Sequence, residues 1–193
     1  MTLARIALPT LVTVLGSAVT LFLFRADASY FFEPRTPRDL GEATAALDAK
    51  PATNSHVRMR GIADLSRSVR VGRRGGDARI ARLSASPLLI EVPAAGAPGT
   101  RPSGEGGLTE SGFFDGAGRL FAAADLPSSY APILRRFQEG GPVRYVLVAG
   151  ESPNDAWLGF VASLGVALFA LLACVFALRA MRRARKEASR GAA

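Results

Sequence analysis

The sequence predicts a membrane protein in which two transmembrane helices flank a small β-rich domain, of α+β and barrel-like class with one packed helix, lying outside the cytoplasm. Three observations carry this prediction: two long apolar runs without charge, a stretch of strand-like segments between them, and basic residues gathered beside the runs. They also account for an uncommon composition. The 193 residues include 24 Lys+Arg against 16 Asp+Glu, a formal net charge of +8, and 49% of the chain is hydrophobic. A mean hydropathy of +0.20 beside a pI of 10.9 leaves two alternatives, apolar and basic residues segregated along the chain or a chain ill-behaved in water, and the three observations favour the first.

The first run, residues 6–24, reads IALPTLVTVLGSAVTLFLF, and the second, residues 157–178, reads WLGFVASLGVALFALLACVFAL. A helix of about 20 apolar residues crosses a hydrocarbon core of about 30 Å, and both runs meet that length. Trp157 stands where an interfacial aromatic belongs, and Arg179, Arg182 and Arg183 begin the basic stretch that follows the second run. Arg5, the first run and the small-residue triplet Ala26-Asp27-Ala28 also resemble a secretory signal with its cleavage site. The run exceeds the usual signal core, which favours a retained anchor.

Charge sets the orientation. The tail from Arg179 onward has six Lys+Arg and one acid, whereas residues 25–156 have 17 basic and 15 acidic residues. Cationic short flanks stay in the cytoplasm, so both termini are expected there, with residues 25–156 extracytoplasmic and the cell inner membrane as the location. The boundaries that follow are a cytoplasmic N-terminus at 1–5, a first span at 6–24, and a connector with a short helix at 25–54. The β-rich domain covers 55–150 with a flexible loop at 94–107, then helix entry at 151–156, the second span at 157–178 and a basic tail at 179–193. The tail reads as stop-transfer charge and attraction to anionic headgroups, so no nucleic-acid partner is expected.

Within the spans, Thr10, Thr13, Ser17 and Thr20 share one helical face, and Gly159 and Ser163 lie on a stripe of the second helix. Small and hydroxyl residues allow close approach of helices in lipid, so these are candidate packing positions; back-bonding within their own helices is the alternative. Cys174, the single cysteine, reads as a small membrane hydrophobe, and with His56 as the only histidine there are too few ligands for a Cys/His metal site.

In the outer segment, Tyr30, Phe31 and Phe32 form an aromatic group suited to the interface or to the start of a core. Pro34 and Pro37 mark an extended connector. Leu40, Ala43 and Leu47 repeat with helical spacing, predicting a short helix over 39–49. Alternation predicts strands at 55–62, 68–72 and 79–83, and a more buried one at 87–93. Residues 108–114 and 119–122 read as a hairpin around Asp115-Gly116-Ala117-Gly118. Tyr130, Ile133, Leu134 and Phe137 predict an amphipathic helix over 128–139, stopped by Gly140-Gly141-Pro142, and residues 143–148 a final strand.

No catalytic set emerges. Ser55 and His56 are neighbours on a strand and point to opposite faces, so they form no dyad; a hydrolase would have to use His56 with a distant serine. The carboxylate pairs Glu105 with Glu110 and Asp115 with Asp125 sit among glycines that fix no separation, and the glycine clusters lack the context of a phosphate loop. No cofactor or metal is expected. Arg67, Arg70, Arg73, Arg74, Arg79 and Arg82 are the densest basic cluster outside the tail, a candidate anion or partner face if the strands pair.

The layout resembles in outline that of the Surfeit-type cytochrome oxidase assembly factors, whose two spans bracket an extracytoplasmic domain. The resemblance covers topology alone and implies no functional residues. The function expected is non-enzymatic: an outer domain that binds or positions another membrane protein in a scaffold, assembly or accessory role. Binding of lipid headgroups or another anionic envelope component through the arginine face, and a membrane-bound hydrolase, are the alternatives.

Overall fold

The computed structural model describes residues 2–47, 50–73, 76–93 and 107–190. Two compact units divide the described residues: the helices within 2–31 and 156–190 form one, and residues 32–155 the other. The predicted loop at 94–107 lies, apart from Gly107, outside the described residues.

In the helical unit, α1 (Thr2–Phe31) and α4 (Trp157–Arg190) are both long and apolar enough to cross a membrane. They pack antiparallel: the rings of Phe31 and Phe160 stack at 4.6 Å, and Asp27 lies against Gly159. Both helices extend past the apolar runs. α1 continues without a break through Arg25 and the Ala26-Asp27-Ala28 triplet, and α4 carries its helix into the basic tail.

Among its described residues the second unit is a six-stranded mixed sheet with two short helices. Its strands are β1 (Arg38–Glu42), β2 (Ser55–Arg73), β3 (Gly76–Leu83), β4 (Leu88–Pro93), β5 (Phe113–Ala122) and β6 (Tyr145–Ala149). A four-residue helix α2 (Ala43–Ala46) follows β1, and α3 (Ala131–Gln138) lies between β5 and β6. β1 with β2 and β4 with β6 are parallel; the remaining pairs are antiparallel. β2 pairs β5 through residues 55–62 and β3 through residues 63–73, so the pairings run in a circuit from β2 through β3, β4, β6 and β5 back to β2.

Side-chain alternation sorts the sheet into two cores. Val57 and Met59 of β2, Ala81 and Leu83 of β3, Ile90 of β4, Phe114 and Leu120 of β5 and Leu147 of β6 form one buried cluster within the circuit. Ile80, Leu89 and Val146 face the other way and meet Tyr130 and Phe137 below α3. The amphipathic spacing of residues 128–139 is thus realised, with Ser128–Tyr130 as a 3-10 turn leading into α3.

Three predicted elements differ. The helix expected over 39–49 is β1 followed by the single turn of α2, with residues 48–49 outside the described residues. Gly41 at φ +74° interrupts any helix there, while Leu40, Ala43 and Leu47 still reach one core cluster. The segments at 55–62 and 68–72 are one strand, β2, with an irregularity between Asp64 and Val69 where the register to β3 shifts. The hairpin around 115–118 does not form, because Asp115-Gly116-Ala117-Gly118 runs straight through β5. Its glycines serve close approach instead. A Cβ on Gly116 would lie 2.9 Å from the Phe114 ring, and one on Gly118 would fall on the Val148 carbonyl.

Candidate functional site

A cleft of about 600 Å³ in the sheet unit opens between the β2 irregularity, the β3–β4 turn and the C-terminal end of α3. Each wall has a local cause. Where β2 leaves its register, the Ser66 amide and hydroxyl both donate to Asp64 Oδ1, at 3.1 and 2.6 Å, closing a tight turn that turns Arg67 outward. The Ser66 hydroxyl bond, assisted by the Ser66 and Arg67 amides and by the Arg67 charge, holds the Asp64 carboxyl below its ordinary pKa. Arg79 steadies the same irregularity from β3, donating to Ser68 Oγ at 2.9 Å and to the Leu65 carbonyl.

The opposite wall is the end of α3, tied to the sheet by Arg82. Its guanidinium donates to the carbonyls of Ser86, Phe137, Gly141 and Pro142 at 3.0 to 3.4 Å. A helix C-terminus leaves carbonyls without intrahelical partners and carries partial negative charge, so a cation that donates to them is doubly suited to the place. Gly140 and Gly141 make room: a Cβ on either would stand 3.1 or 3.3 Å from an Arg82 nitrogen. Arg136 and Glu139 of the helix end complete the charged lining.

A second polar cluster is buried on the outer face of β5. Arg119 is 4% exposed, donates to Asn54 Oδ1 at 2.6 Å and Glu151 Oε1 at 3.1 Å, and stacks over the Phe121 ring. It sits directly across from His56, whose Nδ1 is 3.1 Å from the Pro34 carbonyl, a contact that requires a proton on Nδ1. These groups tie β2, β5 and the two ends of the sheet unit together. Beside them Arg58 grips Asp115 through two bonds of 2.9 and 3.2 Å, and that bond holds the Asp115 carboxyl below its ordinary pKa.

The six arginines read as one candidate face are therefore divided. Arg70 and Arg79 are directly opposite and share a face, and Arg82 points to the other, toward α3. Arg67 stands on the irregularity. Arg73 ends β2, with its side chain outside the described residues, as is the whole of Arg74. Alternation alone places Arg79 and Arg82, three residues apart on β3, on opposite faces, whereas the register shift between Asp64 and Val69 takes Arg67 out of that pattern. Arg136 and Glu139 were missed altogether: on the sequence they are ordinary polar positions of an amphipathic helix. Arg119 carried one faint signal, a lone charge among apolar strand residues.

In the helical unit, Ser17 and Ser163 are buried, and a groove lined by Thr13, Gly16, Ser17 and Thr20 of α1 faces Gly165 and Phe169 of α4. Thr20 donates to the Gly16 carbonyl and Ser163 to the Gly159 carbonyl, both at 2.9 Å, so back-bonding and burial occur together. Thr10 lies in α1 with its side chain outside the described residues, while Trp157, Arg179, Arg182 and Arg183 are exposed on α4. Among the described residues no group of His, Cys, Asp and Glu is placed to hold a metal ion. Comparison with known proteins finds no matching family model, no matching curated protein and no matching solved structure.

Proposed function

We propose that the chain is a non-enzymatic integral membrane protein whose extracytoplasmic domain binds or positions a partner protein in the same membrane, in a scaffold, assembly or accessory role. The observation that carries this reading is the surface of the helical unit. Leu23 and Phe22 on α1 are 69% and 61% exposed, Phe176 and Leu158 on α4 are 65% and 64% exposed, while serines are buried between the helices. Large apolar side chains outside and small ones inside is the arrangement lipid favours and water penalises. With Arg179, Arg182 and Arg183 on one flank, it supports a topology with both termini cytoplasmic and residues 25–156 outside.

The circuit of strand pairings supports a small closed barrel as the form of that outer domain. A domain held by a membrane helix at each end is kept within reach of the bilayer, where a partner in the same membrane is at high effective concentration. Two experiments test the reading. In a Cys174→Ser background, Ser111→Cys should react with a membrane-impermeant maleimide in intact cells and Arg183→Cys only after permeabilisation; the reverse pattern overturns the topology. Affinity capture of the full chain from gently solubilised membranes should bring down one membrane protein in constant ratio. Recovery of the chain alone, with native membrane lipid retained, counts against a partner.

A further inference from the structure

We propose that the cleft between the β2 irregularity and the end of α3 is a binding site for a phosphate ester, with Arg67 and Arg136 as the groups that take the phosphoryl oxygens. The proposal goes beyond the partner-positioning reading and does not depend on it. Both side chains are exposed, both line the cleft, and among the described residues neither makes a hydrogen bond or an ion pair. Arg82, in contrast, is committed to the four carbonyls that anchor α3. Arg67 nevertheless converges on it: a Cβ built on Gly140 would lie 3.1 Å from Arg82 Nη1 and 3.7 Å from Arg67 Nη1. Holding two guanidinium groups this close over one glycine is electrostatically unfavourable unless negative charge lies between or beside them, and the helix carbonyls neutralise only the Arg82 side.

The acids that share the cleft supply only part of the compensating charge: Asp64 acts on Arg67 through its charge while its Oδ1 takes the Ser66 amide and hydroxyl, and Glu139 makes no ion pair among the described residues. A phosphate ester fits what remains, because its several oxygens can accept from two guanidinium forks at once. Glu139 supplies an acceptor for a hydroxyl or amine on the rest of the ligand, and about 600 Å³ holds a molecule of headgroup size.

The test uses the full chain in uncharged detergent micelles and two probes that carry the same chemistry: glycerol 3-phosphate in solution, and phosphatidylglycerol doped into the micelles. Saturable binding of at least one is expected by titration calorimetry or thermal shift, and which one binds identifies the source as free or lipid-borne. Arg67→Gln and Arg136→Gln should each weaken it by about fivefold or more, and Glu139→Gln should tighten it by about twofold or more. Arg70→Gln, an exposed arginine on the sheet outside this cleft, should leave it unchanged. Absence of binding by both probes up to about 20 mM overturns the proposal. So does an equal loss in Arg70→Gln, which would mean attraction to net charge alone.

Discussion

Replacing Gly118 by Ala tests the meeting of β5 with its neighbours more sharply than any other single change. Gly118 stands opposite Val57 of β2 and Ala149 of β6, so it is paired on both sides. A Cβ there would fall on the Val148 carbonyl oxygen, 2.8 Å from the carbonyl carbon and 2.9 Å from Ala149 Cα. Each obstacle is backbone, which no rotamer change relieves. β5 and β6 must part locally, which sacrifices pairing at Gly118 and the bond from the Gly150 amide to the Ala117 carbonyl. Overpacking costs about 1–3 kcal/mol, and the loss of two backbone hydrogen bonds adds about 2 kcal/mol. The expected destabilisation is therefore about 3–5 kcal/mol, a large part of a typical domain stability of about 5–15 kcal/mol.

Amide hydrogen exchange of the full chain in detergent, read on β5 and β6, measures the loss directly. Gly72→Ala is the control, because a Cβ there would meet only Asp77 Oδ1, at 3.9 Å, on an exposed stretch of strand. Its effect should stay within about 0.5 kcal/mol. If Gly118→Ala costs no more than Gly72→Ala, β6 does not approach β5 as described and the circuit of pairings is wrong.

Three further outcomes follow from the described contacts. Arg82→Met removes the donor to four carbonyls and should destabilise the sheet unit by about 1–3 kcal/mol, with exchange protection lost first in α3. The Asp115 carboxyl is held low in the folded state, so its contribution is present above the unfolded-state pKa and lost as pH falls through the folded one. Arg58→Met should lower stability at pH 7, where that contribution is fully present, and flatten the fall in stability as the pH drops below about 5, so that variant and parent converge in acid. Gly159→Leu places a side chain where Asp27 lies, its Cβ only 2.5 Å from the Asp27 Cβ. It should abolish disulfide trapping between cysteines introduced at Phe31 and Phe160 in a Cys174→Ser background.

The two apolar helices were legible because length and composition alone specify them, and the register of apolar residues foretold which face of α3 is buried. Strand boundaries were not. Glycines in Asp115-Gly116-Ala117-Gly118 carry the composition of a turn, yet here they absorb the Phe114 ring and the Val148 carbonyl, neighbours that exist only once the sheet has formed. Leu40, Ala43 and Leu47 show the converse: their spacing correctly marks burial while misnaming the local structure, since a strand followed by one helical turn delivers the same three side chains to the core. Half of the cleft was visible as an arginine-rich stretch. The other half, Arg136 and Glu139, was hidden because its partners lie more than fifty positions away, across a register shift that no local pattern announces.

The double pairing of β2 also dictates an order of assembly. β2, β3 and β4 follow one another and can form a meander as soon as they are made, but β2 then keeps residues 55–62 waiting for β5. β6 is needed in turn, since it alone joins β4 to β5. No complete circuit can exist before synthesis has reached Ala149, just short of the point where α4 begins at Trp157. Unpaired strand edges are where nascent β proteins meet the wrong partner. A chain stopped before Tyr145 would thus expose such edges, and its degradation or capture by chaperones should fall off sharply once residues 145–149 have been added.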